Sequence, residues 1–166
     1  MFRQVTTAED HAELVADLVR VLETRILDPL EILLASDALL EPVRARLRVE
    51  AEVWAAQLLG ADRKRATATA ARLIGALFPG DAPFDPPASW WRTALGRAVA
   101  RATGHPSAAA VSYSTAGAIL GITRQGVHDL VKRGKLARDS GGGVTTSSIR
   151  DRLNRPQESI PCHPKK

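Results

Sequence analysis

Two glycines, Gly121 and Gly134, confine the stretch ILGITRQGVHDLVKRGKL (119–136) more tightly than any other feature of the chain. A glycine just past a run of helix formers suits the left-handed residue that closes a helix. Thr123 follows at once, and a threonine there caps the next helix with its hydroxyl. One helix must therefore end at Gly121, and a second, of about ten residues, must run over 124–133 and stop at Gly134. At 3.6 residues per turn, Val127, Leu130 and Val131 share one side of the second helix, and Arg124, Gln125, His128 and Lys132 share the other. Upstream, Ser112 or Ser114 caps a helix through Leu120, and the small pair Ala116–Gly117 permits a close helix crossing. Ile122 and Leu136 are expected to turn into the core on either side.

KLARD, SGGG and VTT then read as two short strands joined by a glycine-rich turn, a small wing over 137–145. TSSIRDRL supplies a last helix, with Ser147 as its cap and Ile149 and Leu153 packing back. Glycines 141–143 lack the Lys-Ser/Thr that follows a nucleotide-binding loop.

Charge separates this region from the rest. The 166 residues carry a net +5, but residues 1–105 hold 13 Lys and Arg against 14 Asp and Glu. Residues 106–166 hold 10 against 4, so the whole positive balance lies in the last third. Such asymmetry points to a polyanion as partner. A helix presenting its N-terminal side chains to the major groove can pair Arg with guanine and Gln with adenine. Thr123, the helix N-terminus, Lys132 and Arg133 suit phosphates. Asp129 breaks the cationic face; it can accept from cytosine, orient a neighbouring Arg, or pair with Arg133 one turn on.

STAGAILGITRQGVHDLVKRGKL, its glycine turn and VTTSSIRDRL together resemble the winged helix-turn-helix of MerR-like and excisionase-like DNA-binding proteins, over residues 111–155. The resemblance implies that Thr123, Arg124, Gln125, His128 and Lys132 lie on a recognition helix, followed by Arg133 and Lys135. It places Arg138, Ser140, Gly141 and Gly142 on the wing. It implies a sequence-specific transcriptional regulator of bacterial or phage type, a repressor acting by operator occupancy, with double-stranded DNA as partner and no cofactor. An excisionase-like accessory role in recombination would use the same contacts. Two departures stand out. RPQESIPCHPKK (155–166) follows the wing where MerR-like activators continue into a long dimerising helix. Excisionases are usually shorter, without the helical region 1–104.

That region reads as about five helices. Residues 7–27 form the first, capped by Thr7, with Leu14, Leu18, Val21, Leu22 and Ile26 as its stripe. DPLE restarts a short helix, with Asp28 as cap and Pro29 at the first position. A longer one runs from Ser36 or Asp37 to Leu59, with Leu40, Val43, Leu47, Val53 or Trp54, and Leu58 inward. Residues 62–77 follow, burying Ala66, Ala70, Leu73, Ile74 and Leu77. They open on Arg63, Lys64 and Arg65, where the helix dipole disfavours cations. After the loop 78–89, Ser89 caps a helix with Trp91, Leu95 and Val99 inside, ending at Gly104. HPSAAA (105–110) is expected to link the two domains, and 156–166 to be a flexible tail.

The expected fold is mainly α: a helical N-terminal domain, then a winged helix-turn-helix with a small two-stranded wing. A lone cysteine, Cys162, excludes an intrachain disulfide framework, and no signal-like or membrane-spanning run occurs, which suits a cytoplasmic protein. His11, His105, His128 and His163 lack the paired spacing of a metal site beyond Cys162–His163, so no metal is expected. No supported nucleophile or paired acids suggest an enzyme. For residues 1–104 the roles in view are homodimerisation, a ligand pocket near Trp54, Trp90 and Trp91, and capture of a protein partner, as an antitoxin captures its toxin. Core packing is the simplest account of the tryptophans.

Overall fold

In a computed structural model, which describes residues 8–155, the chain is mainly helical with one small two-stranded antiparallel sheet. The expected cap Thr7 and the tail 156–166 with Cys162 and His163 lie outside the described residues. Helix α1 (Ala8–Leu22) buries Leu14, Leu18, Val21 and Leu22 as its stripe requires. The expected break at DPLE does not occur. A π-helical turn, Glu23–Leu27, carries α1 directly into α2 (Asp28–Leu34), and the Asp28 N–H reaches back to the Glu23 carbonyl. Pro29 offers no N–H and crowds the carbonyl four residues earlier, and widening one turn lets the helix pass it. Ala35 then turns left-handed at φ 50° and ends α2.

Helix α3 (Glu41–Leu59) starts later than expected and folds back along α1. Its buried side is not the expected one of large side chains. Ala51, Ala55 and Leu58 are buried, with Leu47 and Trp54 partly so, whereas Val43 and Val53 face outward. Alanines let the α1 and α3 backbones approach closely, and that packing outweighs the volume a valine would add. Helix α4 (Arg63–Leu77) buries Ala66, Ala70, Leu73, Ile74 and Leu77. Asp62 caps it, accepting the Arg65 N–H at 3.0 Å, which puts an acid beside the three cations at its start.

Helix α5 (Ala94–Thr103) is preceded by a 3₁₀ turn over Trp90–Arg92, and Thr93, not Ser89, is its cap. The Thr93 hydroxyl accepts from the Gly96 N–H at 3.0 Å. α1, α3, α4 and α5 enclose one core, centred on Leu18, Ala55, Ala70, Leu95 and Val99. Asp17 reinforces it by accepting the Leu95 N–H at 2.9 Å.

The remaining elements are β1 (Ala110–Val111), α6 (Tyr113–Leu120), α7 (Arg124–Lys132), β2 (Val144–Thr145) and α8 (Thr146–Leu153). They close over a second core of Ala116, Ile119, Val127, Leu136, Val144 and Ile149. Trp91 and Ala100 belong to it too, so α5 and its 3₁₀ turn serve both cores. The segment expected to be a linker is built into this part. The Thr146 N–H and hydroxyl bond the Ala109 and Ala108 carbonyls, each at 2.9 Å, and Ser107 Oγ reaches the Phe84 carbonyl at 3.2 Å. A side chain at Gly104 would collide with the Thr146 carbonyl. Asn154 Nδ2 bonds the Arg101 carbonyl at 2.8 Å, joining α8 to the end of α5.

The strand pairing also departs from expectation. β2 pairs with β1, in the register Ala110↔Thr145 and Val111↔Val144, and residue 138 joins only through a bridge to Val144.

Candidate nucleic-acid interface

The surface in question is assembled by caps and stops. Ser112 caps α6, accepting the Thr115 N–H at 3.1 Å. Gly121 ends it in the left-handed conformation, and the Ile122 N–H returns to the Gly117 carbonyl at 2.9 Å. A Cβ at Gly117 would lie 2.7 Å from the Ile122 carbonyl oxygen, so the turn closes only over a glycine. Thr123 then caps α7 through the Gly126 N–H at 3.0 Å. Val127 is fully buried and roots the helix, with Leu130 and Val131 half-buried beside it. At the far end the Lys135 N–H bonds the Leu130 carbonyl at 2.8 Å, and Leu136 returns to the core.

Ile122 does not enter the core: it stays 39% exposed at the tip of the turn, because the Gly121 turn carries it past the apolar side of α6. It is an apolar contact that the sequence reading assigned to the interior.

The hairpin 137–145 stands beside α7. Its limbs exchange Asp139 N–H to the Gly143 carbonyl at 3.2 Å and Thr145 N–H to the Ala137 carbonyl at 3.0 Å. The Asp139 carboxylate accepts the Gly141 N–H at 2.8 Å and holds the glycine tip in shape.

Thr123, Arg124, Gln125, His128, Lys132, Arg133, Lys135, Arg138, Ser140, Gly141 and Gly142 are all exposed. Arg124, Gln125, His128 and Lys132 share the outer side of α7, Arg133 and Lys135 flank its end, and the others lie on the hairpin. Among the described residues none of Arg124, Lys132, Arg133, Lys135 and Arg138 forms an ion pair with a carboxylate. The two nearby acids are engaged locally: Asp139 with its own turn, and Asp129 with Gln125, whose Nε2 donates to it at 3.3 Å. Asp129 thus orients an amide rather than an arginine. Tyr113, at the start of α6, was not singled out from sequence, yet its ring meets the His128 ring edge-on at 6.2 Å and props it outward. Only the fold brings residues 113 and 128 together.

The other sites raised by the sequence have no comparable construction. A cavity between Leu14, Leu59, Ala94 and Arg97 holds about 20 Å³, room for a water and not for a ligand. Trp90 packs edge-on against Trp91 and Phe84, and Trp91 lies tilted against His105 at 5.3 Å between ring centroids. Among the described residues no group of three metal-ligating side chains converges, and no helix is long and apolar enough to cross a membrane.

No family model, no curated protein and no solved structure matches the chain.

Proposed function

We propose that the chain is a sequence-specific DNA-binding regulator that lays α7 in the major groove and sets the hairpin 137–145 against the adjacent backbone, as a winged helix-turn-helix does. One observation carries the reading. Five exposed cations, without carboxylate partners among the described residues, stand on one helix side, its end and one hairpin, beside buried roots at Val127, Leu136 and Val144. Unneutralised, pre-positioned cations are what counterion release from a phosphate backbone rewards. Arg124 and Gln125 supply base-reading chemistry on the first turn of α7. Gln125 exchanges its contact with Asp129 for an adenine edge, and Ile122 supplies an apolar face for a thymine methyl. Occupancy of an operator by this surface is repression in its simplest form, with the chemistry left to other proteins.

The test is binding of the full chain to a randomised duplex pool across a salt series. Affinity should fall steeply with salt. Arg124→Ala and Gln125→Ala should each cost roughly 1–3 kcal/mol on the selected site and relax its sequence. Absence of any duplex binding at low salt would sink the proposal.

A further inference from the structure

Three cations open α4, and the surface of α7 and the hairpin does not include them. Arg63, Lys64 and Arg65 fill its first turn, where the helix dipole already leaves positive charge. Asp62 offsets one of them: its carboxylate accepts the Arg65 N–H and lies 3.9 Å from the Arg65 guanidinium. Arg63 and Lys64 are exposed, and neither forms an ion pair with a carboxylate among the described residues. They cost the helix stability and gain no partner within it.

The fold brings further cations to the same end. Thr67 lies one turn into α4, on the side of Arg63 and Lys64, and donates its hydroxyl to the Ala102 carbonyl at 3.1 Å. The preceding carbonyl, that of Arg101, accepts from Asn154 Nδ2 at 2.8 Å. The start of α4 and the end of α8 therefore meet consecutive residues of α5. Arg155, next to Asn154, is exposed and Arg152 is half-buried, again without ion pairs among the described residues. The acids nearby are committed elsewhere. Asp62 caps α4, Asp151 pairs with Arg150 at 3.3 Å, Asp10 lines the small cavity that Arg101 borders, and Glu9 sits in the first turn of α1, where its helix dipole favours it.

We infer that Arg63, Lys64, Arg152 and Arg155 form a second contact to the DNA phosphate backbone, flanking the one made by α7 and the hairpin. The inference rests on the reading that duplex DNA is the ligand, and it adds the bundle to the footprint. α8 sets the spacing. Its first half is tied to the hairpin, since Ser148 Oγ accepts the Ala137 N–H at 3.1 Å, and its eight residues end beside Asn154. At 1.5 Å per residue that is about 12 Å, a distance that one DNA strand covers in roughly three to four phosphates. Phosphate is the fitting chemistry because nothing apolar accompanies the charge. The large exposed apolar side chains lie on α2, α3, the turn between them and the α6–α7 turn. A membrane-surface site joins such side chains to its cations, and a protein interface centres on them. Cations alone read no bases, so this contact adds affinity and salt dependence without sequence preference.

The test uses the full chain and the tightest-binding duplex from a randomised pool, across a salt series. Arg63→Glu combined with Lys64→Glu should lower affinity at least tenfold at low salt and make the log–log salt slope shallower by about 2, with sequence preference unchanged. The same pair puts acids where the dipole of α4 favours them, so the melting temperature should hold or rise. Arg152→Gln combined with Arg155→Gln should weaken binding in the same way from the other element. Unchanged affinity and slope in the α4 pair overturn the inference. So does a fall in its melting temperature, which would assign these cations to the bundle, or a loss confined to binding of phosphatidylserine vesicles. Arg124→Ala separates this contact from the reading it rests on. If Arg124→Ala relaxes the sequence and the α4 pair does nothing, α7 is the reader and the second contact is absent. If the α4 pair weakens binding and Arg124→Ala does nothing, the second contact stands and α7 is not the reader. A wild type that binds no duplex overturns both.

Discussion

Arginine does two different things in the two parts of this molecule. In the helical bundle it is mostly spoken for. Arg20, Arg44, Arg46 and Arg97 each bond a carboxylate, Arg48 and Arg65 lie within 4 Å of one, and Arg25 stacks over the Phe78 ring at 4.1 Å. Hydrogen bonds to Asp37 first, then Glu41 and Glu23, hold the Arg44 guanidinium above its ordinary pKa against a smaller opposing effect of burial. On α7 and the hairpin, Arg124, Lys132, Arg133 and Arg138 have no such partners among the described residues. Cations that meet acids inside the chain serve its shape; cations left facing water beside a rigid root are available to something outside it.

That contrast can be broken in four ways, from the largest effect to the smallest. Trp91→Ala should cost about 3–5 kcal/mol, because the ring is 2% exposed and lies between the second core and α5. Chemical denaturation followed by helical signal and by tryptophan fluorescence should still show coincident transitions. Separate transitions would mean that the two cores do not share α5 as described.

A paired swap sharpens the division of labour. Arg124→Ala should lower duplex affinity by roughly 1–3 kcal/mol and leave the melting temperature in place. Arg44→Gln should do the reverse, lowering the melting temperature by leaving Glu23, Glu31, Asp37 and Glu41 unneutralised, with affinity for a single DNA site unchanged. If both variants move both readouts, the two sets of cations are not functionally distinct.

Thr123→Ala removes a cap that holds α7 at its outer end, worth about 1 kcal/mol of stability. Thr123→Ser should restore it. Equal melting of all three would show the cap to be dispensable.

His105 gives the smallest effect. Desolvation by burial lowers its pKa below the ordinary 6.5, only partly opposed by the charge of Asp85, and its Nδ1 accepts the N–H groups of Ser107 and Ala108 at 3.3 and 3.2 Å. The folded state therefore resists the proton more than the unfolded state does. Stability should be full above about pH 6.5 and fall as the pH drops from there towards the lowered value, then level off. His105→Asn keeps an acceptor for both N–H groups and should flatten that part of the pH–stability curve.

Much of this was legible in the sequence where local chemistry decides structure. α7 was readable to within a residue because ten residues separate a threonine cap from a glycine stop, and the inward set of α4 because its stripe is regular. α3 was not readable in the same way. Apolar residues occur all round it, and which side is inside depends on how closely α1 can approach, so Ala51 and Ala55 win over Val43 and Val53. HPSAAA looked like a linker because its composition is that of one, yet its role is played by backbone carbonyls, which composition does not report. Both Ser89 and Thr93 are good caps, and only the 3₁₀ turn at Trp90–Arg92 selects between them. Of the candidate interface, the polar side of α7 was legible, whereas the outward position of Ile122 and the prop from Tyr113 depend on a turn and a crossing that no local pattern encodes.

The sharing of α5 between two cores has a consequence for portability. A unit that folds by itself can be cut out, fused and shuffled. Here the second core is completed by Trp91 and Ala100, and the Arg101 carbonyl accepts from Asn154 Nδ2 on the segment after α8. A fragment beginning at residue 106 would expose the ring socket left by Trp91 and lose the helix against which α8 lies. The smallest transplantable piece starts ahead of the 3₁₀ turn, and grafting this surface onto another scaffold means carrying part of the bundle with it.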